Sequence, residues 1–150
     1  MLRPPPSSRL VRASLPNAKP DAPDFLVQAR DVGKAVHVWV GLQGSPCSMG
    51  GLAAGVPTRA GSGAATDGPY SATCLLGDSG AGNDVAGRLS AHAGKLVLLS
   101  LAPAVEEALL AAAAEGIDAD IDSSSDLDGS GRLLQPWLET QLRAILDAIA

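Results

Sequence analysis

Aromatic residues are scarce in this sequence: its 150 residues include only one Phe, one Tyr and two Trp. Leu, Val, Ile and Ala must therefore build most of the core. The chain has two cysteines, Cys47 and Cys74, which form no CxxC pair and have no neighbouring histidine. This spacing does not predict a zinc site. Both thiols are expected to be reduced and inert, although the sequence leaves a disulfide between them open.

The sequence also lacks long apolar runs and an excess of positive charge. No apolar run approaches the roughly 20 residues of a membrane-spanning helix. The net charge of −5 argues against a nucleic-acid surface, because phosphate binding requires a basic stripe. With 46% hydrophobic and 18% charged residues, the composition is typical of a globular chain long enough for one domain. We therefore expect neither nucleic acid nor membrane as a partner.

Residues 1–20 carry four basic side chains and no acidic one. This composition fits an organelle transit peptide, and it fits a disordered Pro/Ser/Arg-rich tail equally well. The run of three prolines at 4–6 opposes an amphipathic targeting helix, so we favour a disordered tail over residues 1–23. The folded domain is then predicted to span residues 24–150.

Alternating and periodic apolar residues predict the secondary structure of this domain. Strands are expected at 25–30, 35–42, 70–76 and 95–101, and helices at 84–92, 104–116 and from Pro136 to the chain end. Residues 43–69 are interpreted as a loop with one turn of helix. Flexible loops are expected at about 57–68 and at 117–131, where Gly, Ser and Asp dominate. Because the helices cluster late, the pattern favours an α+β domain with an antiparallel sheet or sandwich flanked by helices.

The segment Gly77–Gly82 resembles a phosphate-binding P-loop, but Asn83 and Asp84 stand where that loop needs Lys and Ser or Thr. A degenerate small nucleotide-binding protein that uses Gly77–Gly82 is kept as the alternative function. Gly77-Asp78-Ser79-Gly80 also resembles a serine-protease motif. A protease needs a histidine base, and the only upstream histidine, His37, lies inside a predicted strand.

Asp118, Asp120 and Asp122 suggest a calcium loop. The sixth position of that loop is Ser123 instead of Gly, and the twelfth is Gly129 instead of Glu. The two histidines are too isolated to hold a metal. The sequence therefore predicts no catalytic, cofactor or metal site, and the protein is not expected to be an enzyme.

Four motifs occur in a specific order: VHVWVG at 36–41, SATCLLGD at 71–78, VAGRLSAHAGKLVLLSL at 85–101 and LQPWLETQLRAIL at 134–146. In this order they resemble the proteasome assembly chaperone 4 family. The matching positions are Trp39, Val40, Gly41, Leu75, Leu76, Gly77, Asp78, Arg88, Leu89, Leu138 and Glu139.

The resemblance implies a non-catalytic chaperone with an antiparallel β-sandwich flanked by helices. Its implied partners are a proteasome assembly chaperone 3-like protein and the 20S proteasome α subunits, in cytoplasm and nucleus and without a cofactor. The chain departs from the family in two places. Pro-rich sequence stands where the family has an additional early strand, so either that strand has diverged or the sequence begins wrongly. Residues 103 to about 132 look like an insertion.

Overall fold

The computed structural model describes residues 9–17, 21–58, 70–77, 80–115 and 134–149, which form six strands and three helices. The strands are β1 (Arg9–Leu15), β2 (Phe25–Asp31), β3 (Ala35–Leu42), β4 (Gly51–Pro57), β5 (Tyr70–Leu76) and β6 (Leu96–Leu101). The helices are α1 (Gly80–Ala93), α2 (Pro103–Glu115) and α3 (Leu134–Ile149).

All six strands belong to one sheet with the order β1-β2-β3-β6-β4-β5. Neighbouring strands are antiparallel except β3 and β6, which are parallel. The predicted α+β class, with one domain and a sheet flanked by helices, is confirmed. The sheet is mixed, because the chain forms the hairpin of β4 and β5 and then helix α1 before it returns as β6 beside β3.

The three helices pack on the same face of this sheet and enclose the hydrophobic core with it. Alternation decides which side chains enter the core. Val36, Val38 and Val40 of β3 are buried and lie beside Val97, Leu99 and Leu101 of β6 in register. Helix α3 adds an apolar stripe to the core, consisting of Leu138, Leu142, Ile145, Leu146 and Ile149.

Residues 9–15 form a strand, so the prediction of a disordered tail over 1–23 is wrong for this segment. Strand β1 pairs with β2 along its whole length. Leu15 is buried, Val11 and Ala13 are partly buried, and Arg12 between them is exposed. This two-residue alternation is typical of a half-buried strand. The basic residues and prolines around it hide the pattern in the sequence.

Residues 51–57 form strand β4, which corrects the prediction of a loop over 43–69. The strand lies between β6 and β5 and has few large side chains, so its pattern looks like a loop. The small residues allow close packing. A Cβ atom at Gly55 would collide with the carbonyl of Ala86, which means that α1 lies directly on the backbone of β4.

The helix boundaries refine two further predictions. Helix α1 begins at Gly80 instead of Asp84. Helix α2, in the segment interpreted as an insertion, places Val105 and Leu109 in the core and thus packs as part of the domain. The predicted loop at 117–131, and most of the predicted loop at 57–68, lie outside the described residues.

The burial of α3 predicts that Leu142→Ala destabilises the protein strongly. Leu142 is 1% exposed, and truncating such a leucine typically costs about 2–5 kcal/mol because a cavity remains. The free energy of unfolding from urea denaturation measures this loss. Leu110→Ala is the matched control, since Leu110 of α2 is 57% exposed and its truncation should change stability by less than about 0.5 kcal/mol. Equal effects of the two variants would contradict the assigned packing.

Candidate interaction surface

The side of the sheet opposite the helices, here called the open face, is not covered by any of the described helices. All six strands contribute apolar side chains to it. They are Leu10, Leu26, Trp39, Leu52, Ala54, Val56, Leu76, Leu96 and Leu98. Leu76 is 53% exposed and Val56 is 47% exposed. Contiguous exposed apolar groups of this kind mark interaction surfaces in soluble proteins.

The order of residues in the Trp-Val-Gly motif follows from the position of Trp39 in strand β3. Trp39 lies on the open face and Val40 is in the core, because successive residues of a strand point to opposite sides. A Cβ atom at Gly41 would collide with the indole ring of Trp39, so glycine allows the ring to lie close to the sheet. The indole Nε1–H points to the carbonyl of Ser48 at 3.5 Å. The motif thus places a large flat apolar group on the surface.

The Leu-Leu-Gly motif ends strand β5 at the edge of the sheet. Leu76 pairs with Leu52 and Cys74 pairs with Ala53, and this register shift leaves Leu75 as the additional residue of a bulge. Gly77 has a φ of 85°, a left-handed conformation that favours glycine. This turn accounts for the glycine without a phosphate ligand. Asp78, the last position of the motif, lies outside the described residues.

Arg88 and Glu139, from two separate motifs, meet between α1 and α3. Arg88 Nη1 donates to Glu139 Oε2 at 3.2 Å, and Arg143 Nη2 donates to Glu139 Oε1 at 2.7 Å. Hydrogen bonds to Tyr70 and then to Glu139 raise the pKa of Arg88 above its ordinary value. Leu89 and Leu138, the neighbouring motif positions, are buried in the core. These four motif residues connect α1 to α3 and do not lie on the open face.

A cleft of about 110 Å³ lies between α1, α3 and the β2–β3 turn. Its polar groups already contact each other: Lys95 Nζ donates to Asp31 Oδ2 at 2.9 Å, and His92 Nε2 lies 2.8 Å from Asp147 Oδ1. Small-molecule sites usually measure about 300–1,000 Å³. Both its size and its internal pairing argue against a ligand site in this cleft.

Two other kinds of site are absent from the described ranges. No group of three or more His, Cys, Asp or Glu residues there could hold a metal ion. Among the described helices, none has the length and hydropathy that crossing a bilayer requires. The open face is therefore the candidate site that these residues offer.

The sequence patterns identified only part of this surface. Trp39, Gly41 and Leu76 were predicted as motif positions, and the structure places all three on or beside the open face. Leu52, Ala54 and Val56 were missed because residues 51–57 were interpreted as a loop. A signal for Leu98 was available in the predicted strand at 95–101, because that run lacks the polar alternation of a strand with one face in water.

Comparison with known proteins identifies the fold. No protein-family model matches the sequence, and no curated protein matches it. Among solved structures, the chain is similar to a chain in the crystal structure of a novel chaperone complex for yeast 20S proteasome assembly. The match has a TM-score of 0.52 and 11% identity, and it covers 95% of this chain and 97% of that chain. At this identity the likeness shows a shared fold.

The bridge between α1 and α3 predicts that Glu139→Ala weakens the fold. The variant loses two charge-assisted hydrogen bonds, but Arg88 is 43% exposed and solvent screens part of its interaction. We therefore expect a loss of about 1–2 kcal/mol in the free energy of unfolding by urea denaturation. Glu107→Ala, at an exposed position of α2, is the control and should have little effect. A Glu139→Ala variant as stable as this control would show that the bridge contributes nothing.

The pair of Asp31 and Lys95 predicts a pH-dependent contribution to stability. The hydrogen bond from Lys95, followed by that from the Gly33 N–H, lowers the pKa of Asp31. A lowered pKa stabilises the fold above the ordinary carboxyl pKa of about 4, and this contribution is lost as the pH falls through the folded-state pKa.

Asp31→Asn should therefore lower the free energy of unfolding by about 0.5–1 kcal/mol at neutral pH and by almost nothing near pH 2. Urea denaturation at both pH values measures the difference. Asp21→Asn, at an exposed position outside any element, provides the baseline. A deficit of Asp31→Asn that persists unchanged at low pH would rule out the ion pair as its cause.

Proposed function

We propose that this protein is a non-catalytic chaperone that pairs with a proteasome assembly chaperone 3-like protein and promotes assembly of the 20S α-subunit ring. The observation that carries the proposal is the apolar open face, on a fold shared with a chain of a yeast 20S proteasome assembly chaperone complex. The ordered motifs from Trp39 to Glu139 support the same family. The proposal places the protein in the cytoplasm and the nucleus.

The open face is the surface proposed for pairing. A sheet that is covered by helices on one side and carries Trp39, Leu52 and Leu98 on the other resembles one half of a sandwich. Two such sheets pack about 10 Å apart with interdigitated side chains. A partner sheet on the open face would complete the β-sandwich that the family resemblance implies. A stable interface of this kind buries about 1,200–2,000 Å² in total.

Binding, and no covalent chemistry, would carry the proposed activity. A pair of chaperones would bind one arrangement of neighbouring α subunits more tightly than the competing arrangements. The difference between these binding free energies would favour the correct arrangement. The pair is released when the assembling particle no longer presents the same surface. Nucleotide binding at Gly77–Gly82 gains no support from the described residues, because Gly77 is explained by its turn.

Co-expression with a proteasome assembly chaperone 3-like protein tests the proposal. We expect a one-to-one complex by native mass spectrometry, which binds purified 20S α subunits. Leu98→Asp places a charge in the middle of the open face and should abolish pairing, since a buried unpaired charge costs several kcal/mol. Leu110→Asp introduces the same charge on exposed α2 and should leave pairing intact.

Thermal denaturation of the two aspartate variants distinguishes lost pairing from lost folding. A complex that tolerates Leu98→Asp would place the interface elsewhere on the molecule. The chaperone assignment would be abandoned if the protein bound neither a sister chaperone nor any α subunit.

A further inference from the structure

The two edge strands of the sheet differ in charge. Strand β1 lies at one edge and β5 at the other, and no described strand lies beyond either of them. Strand β1 carries the exposed Arg9 and Arg12, and Pro16 follows it directly. Strand β5 has the sequence YSATCLL, which contains no charged residue and no proline. Native proteins use charges and prolines to prevent pairing at a free edge, so β1 is protected in this way and β5 is not.

The bulge at Leu75 limits the part of β5 that is available for pairing, because a bulge interrupts the regular row of backbone hydrogen-bonding groups. From Tyr70 to Cys74 the register of β5 with β4 is regular. Ser71 and Thr73 in this stretch are exposed on the open face, and the other three residues point to the helix side. The regular part of the free edge therefore consists of five residues.

This five-residue stretch is complementary to itself. Two copies related by a two-fold axis at Ala72 pair in antiparallel orientation, with each Ala72 opposite the other. Ser71 of each copy then lies opposite Thr73 of the other on the open face, where hydroxyl side chains form favourable cross-strand pairs. Tyr70 lies opposite Cys74 on the helix side. This register brings no like charges together and buries no charge.

The helices leave room for such a pair. Helix α1 lies directly on β4, where the backbone at Gly55 meets the carbonyl of Ala86. In two copies joined at β5, three interstrand spacings separate one α1 from the other, or about 14 Å. Packed helices need only about 8–10 Å. The helix layers of the two copies would thus lie side by side on one face of a continuous sheet, and both open faces would lie together on the other.

We infer that β5 pairs edge to edge with β5 of a second copy of this chain, antiparallel and centred on Ala72. A second copy supplies the same uncharged side chains in the matching order, which is why it is the occupant of this edge. The inference does not rest on the proposed function, since the edge is distinct from the open face and leaves that face available to a partner sheet. Five paired residues bury less than the about 1,200–2,000 Å² of a standard interface, so the dimer should dissociate on dilution.

Sedimentation velocity of the isolated full chain, from about 1 μM to about 300 μM, tests the inference because a weak dimer forms by mass action in this range. We expect the sedimentation coefficient to rise from that of a monomer to that of a dimer. Ser71→Lys combined with Thr73→Lys places lysines opposite lysines and should weaken the dimer about tenfold or more. Ser71→Glu combined with Thr73→Glu should weaken it equally. An equimolar mixture of the two double variants should dimerise again, since each lysine then faces a glutamate.

Ser14→Lys is the matched control, because Ser14 is an exposed serine on the open face of the other edge strand. It should leave self-association unchanged. Thermal denaturation checks that every variant folds, and Ser71→Lys alone provides the same comparison with the control if a double variant does not fold.

Three results would overturn the inference. The first is a chain that stays monomeric over the whole concentration range, and the second is a mixture of the double variants that does not dimerise. The third is a dimer that Leu98→Asp dissociates and the β5 variants do not, since a second copy would then occupy the open face. If the β5 lysines instead abolish binding of the co-purified chaperone 3-like protein, a strand of that partner occupies the edge. The second copy is then wrong while the chaperone proposal stands.

Discussion

The close approach of helix α1 to strand β4 determines how the rest of the molecule is arranged. Gly55 lets the carbonyl of Ala86 approach the strand backbone, and Gly87 leaves room for the ring of Tyr70 on β5. A chain with four aromatic residues cannot fill a wide gap between layers, so it brings the layers together. This packing positions Arg88 of α1 to donate a hydrogen bond to Glu139 of α3. The bond fixes the two helices relative to each other.

One consequence of this arrangement is that every described helix covers the same face of the sheet. The opposite face has apolar side chains but none of these helices above it. Burial of apolar area contributes about 25 cal/mol per Å², so a partner sheet there would gain stabilisation that the isolated chain lacks. A partner that binds only the folded state stabilises it by mass action, so pairing at this face would raise the stability of the fold. The same coupling would favour formation of the pair soon after folding.

The sequence predicted those elements whose side chains differ clearly between the two faces. Strand β3 alternates valine with other residues, and α3 repeats leucine and isoleucine at helical spacing, so both were identified. Where it pairs with β6, strand β4 has only Gly51, Ala53 and Gly55 on its helix side, and its identity depends on contact with α1, which no local pattern shows. Strand β1 was hidden by neighbouring prolines and arginines. Packing against other elements, which the local pattern does not show, determines that both segments form strands.

Prediction of the surface was incomplete for a related reason. The resemblance identified Trp39 and Leu76, but the open face exists only because β6 inserts between β3 and β4, a connection between distant parts of the chain. That order brings Leu98 beside Ala54 and places Arg30 in the same row as His37. Neither of these two contacts can be recognised from the local sequence. A residue in β1 and a leucine in β6 come to lie on one surface only through the sheet.

Apolar burial at the open face would supply affinity in pairing without setting specificity. Side chains such as Leu52 and Leu98 gain by leaving water whichever apolar sheet covers them, so they would discriminate weakly among sheets with similar side chains. Discrimination would have to come from shape and from polar groups that a wrong partner leaves unsatisfied. The affinity of this face and its choice of partner would therefore depend on different residues.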